Sequence, residues 1–413
     1  MRTDNFSITL LKYFDSTAKN VKKDTTIWVV FSVAMVFFYF VQRYLAGIIP
    51  LENNIVFGAD TEDTVEALRA INFMADMREH ILFTPTLFPV VNFLNSLPFA
   101  TFSRSVRLTY ALLAGLNLLV IYVLLKKMKV SRVVSLLVVL LFMCSFSVLV
   151  IYGIPETYQM SNLLIALYLL VFLSLSENLE LQNSILLSLL AGIAALYNYP
   201  LLSLMGVHLL LMARKFTFKQ WLFIATINIL IGILIVGSVN YLIYGPYFFN
   251  YMKNYASDWA SITNFLSARN YANVFLNFLL FAFISPVDYL PDTLSWQDGI
   301  GYFSTYLGII LFVFWGSWLL YSAYYLVISQ KIDKIDMALI AWVGVMMLFY
   351  VYFNPNEACL YASQTVLPIL LICSKIFDNS LKSSKSKLYI LVIFCLLLAI
   401  NNGIAIYNGA LLR

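Results

Sequence analysis

The stretch FGADTEDTVEAL, residues 57 to 68, brings Asp60, Glu62, Asp63 and Glu66 close together in a chain of which only 11% of residues are charged. Asp60 stands directly before an amphipathic run, where a carboxylate caps a helix by accepting backbone N–H bonds. A carboxylate held that way is also a general base for a nearby hydroxyl. Glu62, Asp63 and Glu66 read as a solvated face, with Glu62 and Asp63 also open as the base. Asp-x-Glu-Asp offers the oxygen ligands a divalent cation takes.

The next polar cluster, DMREHILFTPTLFP (76–89), holds Arg78 and His80, the latter one of two histidines. A guanidinium at lipid head-group depth either anchors the protein or clamps a phosphate through its forked donors. Arg104 and Arg107 open an apolar run and favour an anionic partner in the same way. Glu156 lies in the short turn YGIPETYQ (152–159) beside Tyr158, as a first-turn helix acid or a substrate contact. Lys253, Asp258 and Arg269 sit among Tyr, Trp and Asn residues suited to a membrane belt or to sugar hydroxyls. Glu357 and Tyr361 follow in YFNPNEACLYASQTVLP (352–368). His208 falls inside an apolar run and reads as a hydrogen-bonded packing residue.

What positions these groups is a membrane. Of 413 residues 62% are hydrophobic and 16% aromatic, with a mean hydropathy of +0.84, far from a soluble domain. Runs of about 20 apolar residues, enough to cross hydrocarbon, recur without the alternation of a barrel. The expectation is an all-α polytopic membrane protein of one domain, 1–413. About eleven spans are predicted, near 26–46, 104–125, 131–151, 158–175, 184–198, 199–213, 221–243, 303–328, 337–353, 365–377 and 387–407. Pro200 in LYNYPLL breaks the run at 184–213. Cys144, Cys373 and Cys395 fall in or beside spans and Cys359 in a loop, so no disulfide framework is readable.

Most of the 26 Lys and Arg residues collect on alternate connections, including the leader 1–25. By the positive-inside rule these face the cytoplasm. The acidic stretch and two long segments, 47–103 and 244–302, are then extracytoplasmic and form the working face. Within the first, TEDTVEALRAINFMADM (61–77) spaces Val65, Leu68, Ile71 and Met74 as one stripe of a surface helix. PTLFPVVNFLNSLPF (85–99), broken by Pro89 and Pro98, is predicted to lie in the interface as well.

This order of features resembles the GT-C glycosyltransferases: one helix, an outer loop with an early acid (FGAD60TED), R78EH80 running into TPTLFP, an acid at the outer end of the third span (PE156TY), a Gly-rich span pair closing near Asn198 and Pro200, and a late outer NPNEACLY361 leading into TVLP. Its length and lack of a large terminal domain are similar to bacterial O-antigen serotype-converting glucosyltransferases and lipid A aminoarabinose transferases, more than to protein mannosyltransferases. The resemblance implies inverting transfer of a sugar from a polyprenyl-phosphate donor to a hydroxyl of an envelope glycan or glycolipid. It implies Asp60 as catalytic base, Arg78, His80, Arg104 and Arg269 around the donor phosphate, and Glu156, Tyr158, Glu357 and Tyr361 around the substrates. No metal or other cofactor and no nucleic acid enters. The implied location is the bacterial inner membrane, N-terminus cytoplasmic and site periplasmic. A departure is Thr84-Pro85 well after His80, where many relatives carry a basic residue next to the proline. The rival readings are a polysaccharide polymerase or ligase, and a flippase or transporter, for which mid-membrane charges and repeats are expected.

Overall fold

A segment entering hydrocarbon must satisfy its backbone N–H and C=O groups internally, so an apolar run coils into a helix. The computed structural model describes residues 24–46, 61–69, 80–98, 100–247, 253, 260–285, 305–328, 333–355, 358–381 and 385–411, and every element assigned among them is helical. The order begins α1 (Thr25–Ala46), α2 (Thr61–Arg69), α3 (Phe83–Asn95), α4 (Phe102–Lys127). It continues α5 (Arg132–Cys144), α6 (Phe146–Gly153), α7 (Tyr158–Leu175), α8 (Leu181–Ala195), a 3-10 turn at Tyr199–Leu204 and α9 (Met205–Met212). Then follow α10 (Phe218–Tyr244), α11 (Ala268–Leu276), a π-helical turn at Asn277–Phe281, α12 (Tyr306–Ile328), α13 (Lys334–Phe353), α14 (Ala358–Leu381) and α15 (Lys385–Leu411).

Among the described residues seven helices are long and apolar enough to cross a membrane, or eight spans if α5 and α6, bent by 65° at their junction, count as one. The chain is an all-α membrane protein. The expected spans 184–198 and 199–213 coincide with short pieces: α8 has 15 residues, about 22 Å of rise, less than hydrocarbon is thick. Pro200 enforces that break, opening a 3-10 turn. The expected span 365–377 lies inside α14, which carries Pro368.

Of the expected surface helix 61–77 the structure describes α2, Thr61–Arg69; its Val65 and Leu68 are buried, and Arg69 lies over the Phe102 ring at 5.3 Å, a cation–π contact that ties α2 to the start of α4. The remainder, with Ile71 and Met74, lies outside the described residues. Two local expectations change. Pro89 does not break α3: it forfeits one helical N–H bond, while Phe83, Leu87 and Val91, four residues apart, form one buried face. Cys359 falls in the first turn of α14 and not in a loop.

The α5–α6 bend frees backbone groups deep in the bundle, and other segments take them up. Phe146 N–H donates to Phe283 O at 3.1 Å and Ser147 N–H to Ala282 O at 3.0 Å. Asn402 of α15, fully buried, donates to Cys144 O and Phe283 O, both at 2.7 Å, and accepts from Ser285 N–H at 2.8 Å. Asn402→Ala removes one side chain that serves three buried backbone groups. Phe283 O keeps its bond from Phe146 N–H, so two groups, Cys144 O and Ser285 N–H, are orphaned; at about 1–3 kcal/mol each the expected loss is at least about 2 kcal/mol, seen as a lowered Tm of the detergent-solubilised protein, and an unchanged Tm contradicts this role.

Toward the opposite ends of α13 and α14, Lys375 binds Asp333 and Asp336, the latter at 2.7 Å. Burial alone would raise the Asp333 carboxyl, but hydrogen bonding to the Lys375 ammonium holds it below its ordinary value. His208 is enclosed by Tyr168 (2.8 Å) and Ser188 (3.4 Å), and Ser188 in turn donates to Asn228.

Candidate functional site

The site begins with the proline of LYNYPLL. In a continuing helix the carbonyl of Leu196 would accept from residue 200, but Pro200 has no N–H. Leu201 N–H turns back to Asn198 O at 3.0 Å, so the Tyr197 carbonyl also loses its helical donor. Both carbonyls are taken by the turn that precedes α3: Leu82 N–H donates to Leu196 O at 3.3 Å, and His80 Nδ1 bonds Tyr197 O. A third tie joins Tyr197 and Thr86 through their hydroxyls at 2.5 Å. A break in one helix thus fixes a histidine some 117 residues earlier in the chain.

A carbonyl only accepts, so His80 Nδ1 carries the proton and Nε2 is left to face Thr157 Oγ1 at 3.2 Å. Thr157, in the turn between α6 and α7, lies beside the preceding acid. Its N–H donates to Glu156 Oε1 at 2.9 Å and its hydroxyl is 3.1 Å from the same oxygen. His80, Thr157 and Glu156 are all buried. The hydroxyl therefore bridges two titratable groups. With the proton on Glu156, Thr157 donates to a neutral His80; with it on Nε2, the imidazolium donates to Thr157, which donates to the carboxylate.

Aromatic rings continue from this relay. Tyr158 meets His80 edge-on at 6.0 Å and Tyr361 of α14 at 5.8 Å. Tyr361 stacks on Tyr350 of α13 at 4.1 Å. The cluster is recessed. Glu156 is within electrostatic reach of the Tyr110 hydroxyl, and Tyr110 stands eight residues into α4, about 12 Å of helix rise from its start.

Four of the predicted site residues, His80, Glu156, Tyr158 and Tyr361, are thus brought together. Both His80 nitrogens face protein partners, so direct contact with a phosphate would replace one of them. Arg104, exposed in the first turn of α4, lines a separate groove of about 360 Å³ with Tyr39 and Phe40 of α1 and Leu94, Leu97 and Leu108. Arg269, also exposed, opens α11. The neighbouring 3-10 turn, Ile262–Leu266, is tied to the end of α13, where Ser261 N–H and the Asn264 carboxamide both donate to Tyr352 O at 3.1 and 3.0 Å. Asp60, Arg78 and Glu357 lie outside the described residues, as do the side chains of Glu62 and Asp63 in the first turn of α2.

Sequence reasoning passed over Thr157, Tyr197 and Tyr110. The signal for Tyr197 was Pro200, whose missing N–H frees carbonyls. Among the described residues no group of three His, Cys, Asp or Glu side chains is placed to hold a metal ion. Neither known family models nor curated proteins match this chain.

Proposed function

We propose that the protein is a membrane glycosyltransferase moving a sugar from a polyprenyl-phosphate donor to a hydroxyl of a cell-envelope glycan or glycolipid. The observation that carries this is the meeting of His80, Glu156, Tyr158 and Tyr361, from three distant parts of the chain, in one recessed cluster of acid–base and aromatic groups. An apolar groove rimmed by Arg104 suits an isoprenoid tail with an anionic head. The Lys- and Arg-rich connections support a cytoplasmic N-terminus and a site on the periplasmic side.

In this reading the acceptor hydroxyl loses its proton to Asp60 as its oxygen attacks the anomeric carbon. The carbon–oxygen bond to phosphate breaks on the opposite face, and its electron pair leaves with the phosphate. The negative charge that develops there is met by the His80 imidazolium, which Glu156 supports through Thr157. Charge stabilisation in a partly dry site is commonly the larger share of catalysis. One inverting step uses one base, unlike the paired carboxylates of glycosidases, and no metal enters the scheme.

The test is release of free polyprenyl phosphate by the purified protein from polyprenyl-phosphate glucose, mannose or galactose with a lipopolysaccharide or glycolipid acceptor. Release coupled to sugar on the acceptor supports the reading. A transporter is favoured by one observation, the 65° bend between α5 and α6, since discontinuous helices line substrate sites in carriers. Here the first amides of α6 are bonded to carbonyls 282 and 283. Movement of intact donor without cleavage would select the carrier.

A further inference from the structure

We infer that Arg107 of α4 is the cation that holds the phosphate of the lipid donor, at the junction between the apolar groove and the Glu156 relay. This rests on the glycosyltransferase reading and gives the donor a direction: tail in the groove, phosphate on Arg107, sugar toward Glu156.

Helix geometry supplies the placement. Arg104, Arg107 and Tyr110 follow one another at intervals of three on α4, so each step advances about 4.5 Å along the axis and turns about 60° around it. At one end of this row Arg104 lines the groove of about 360 Å³, as does Leu108, the residue after Arg107. At the other end Tyr110 is fully buried, with its hydroxyl within electrostatic reach of Glu156. Arg107 therefore stands midway, with the groove wall on one side and the relay on the other. Long helical side chains lean back over the preceding turn, which carries its guanidinium toward the level of Arg104.

Arg107 is half-buried, and its side chain makes no hydrogen bond or ion pair among the described residues. Neighbouring cations are engaged: Arg69 faces the Phe102 ring, and the two His80 nitrogens meet Tyr197 O and Thr157. A charge partly withdrawn from water is costly unless it is paired, and an ionisable side chain kept within a membrane helix commonly marks a substrate path. The complement of this one is an anion. A guanidinium offers forked donors that match phosphate oxygens. The groove at its flank, walled by Met35, Val36, Leu94, Leu97 and Leu108, takes an apolar chain. A phosphate joined directly to a long apolar chain meets both conditions, whereas a water-soluble sugar phosphate leaves the groove empty.

The test uses the full-length protein in phosphatidylcholine nanodiscs and three probes: polyprenyl phosphate, the uncharged polyprenol, and phosphatidylglycerol as competitor. The wild type is expected to bind polyprenyl phosphate more tightly than polyprenol, and equimolar phosphatidylglycerol is not expected to displace it. Arg107→Gln is expected to lower affinity for polyprenyl phosphate tenfold or more and to leave polyprenol binding unchanged. Arg107→Lys keeps the charge without the fork and is expected to lie between the two. Arg107 has no hydrogen bond to lose, so both variants are expected to keep the wild-type Tm; should Arg107→Gln fail to fold, a loss of affinity in Arg107→Lys carries the test. Unchanged affinity in the variants overturns this inference alone, as does wild-type binding that does not distinguish the phosphate from the alcohol. Displacement by phosphatidylglycerol, lost in the variants, assigns Arg107 to bilayer phospholipid and overturns it as well. Failure of the wild type to bind either polyprenyl lipid overturns the glycosyltransferase reading together with it.

Discussion

Glu156→Gln lowers sugar transfer on the order of 100-fold, the lower end of what a general acid–base group contributes. Glutamine fills the same volume and its Oε1 still accepts from Thr157 N–H, so the turn between α6 and α7 is retained. What goes is the negative charge that supports a positive His80 through the Thr157 hydroxyl. The leaving phosphate then meets a neutral imidazole. The loss falls on kcat more than on KM, since the interaction strengthens as the bond to phosphate breaks. The alkaline limb of the rate profile also moves to lower pH, because the imidazolium has lost its anionic partner. Thr157→Val interrupts the same relay without touching either titratable group and is expected to reproduce both effects. Full kcat with an unmoved pH profile in both variants would remove the relay from the mechanism.

Asp60→Asn has the larger effect, a fall on the order of 1,000-fold in turnover. A neutral amide cannot take the acceptor's proton, whereas it can still cap the helix that begins at Thr61. The two roles open for Asp60 are therefore separable. Loss of activity with unchanged Tm marks the base, and lowered Tm with turnover retained per folded molecule marks a cap alone. If Asp60→Asn keeps its turnover, the same measurement on Glu62→Gln and Asp63→Asn identifies which neighbouring acid takes the proton instead.

Much of the helical framework is legible because hydrocarbon leaves the backbone so little choice. The ends of α1, α4 and α7 fall within a few residues of their expected limits, where an apolar run meets charge or a turn. Legibility fails where local rules compete with packing. Pro89 reads as a breaker, yet the buried face of Phe83, Leu87 and Val91 keeps α3 continuous. At the site, His80, Glu156, Tyr158 and Tyr361 stand out as rare polar or aromatic residues near turns. Thr157 does not, because its importance comes from bridging two groups that only the fold brings within reach. Asn402 is likewise unreadable, since its partners at Cys144 and Phe283 lie more than a hundred residues away.

The most direct test reconstitutes the purified protein in proteoliposomes with polyprenyl-phosphate sugar on one leaflet, and follows cleavage and movement of the donor together. Sugar transfer is expected to appear with an equal amount of free polyprenyl phosphate, in wild type and not in Asp60→Asn. Donor that crosses the bilayer with its sugar still attached, or that stays uncleaved beside a competent acceptor, contradicts the enzyme.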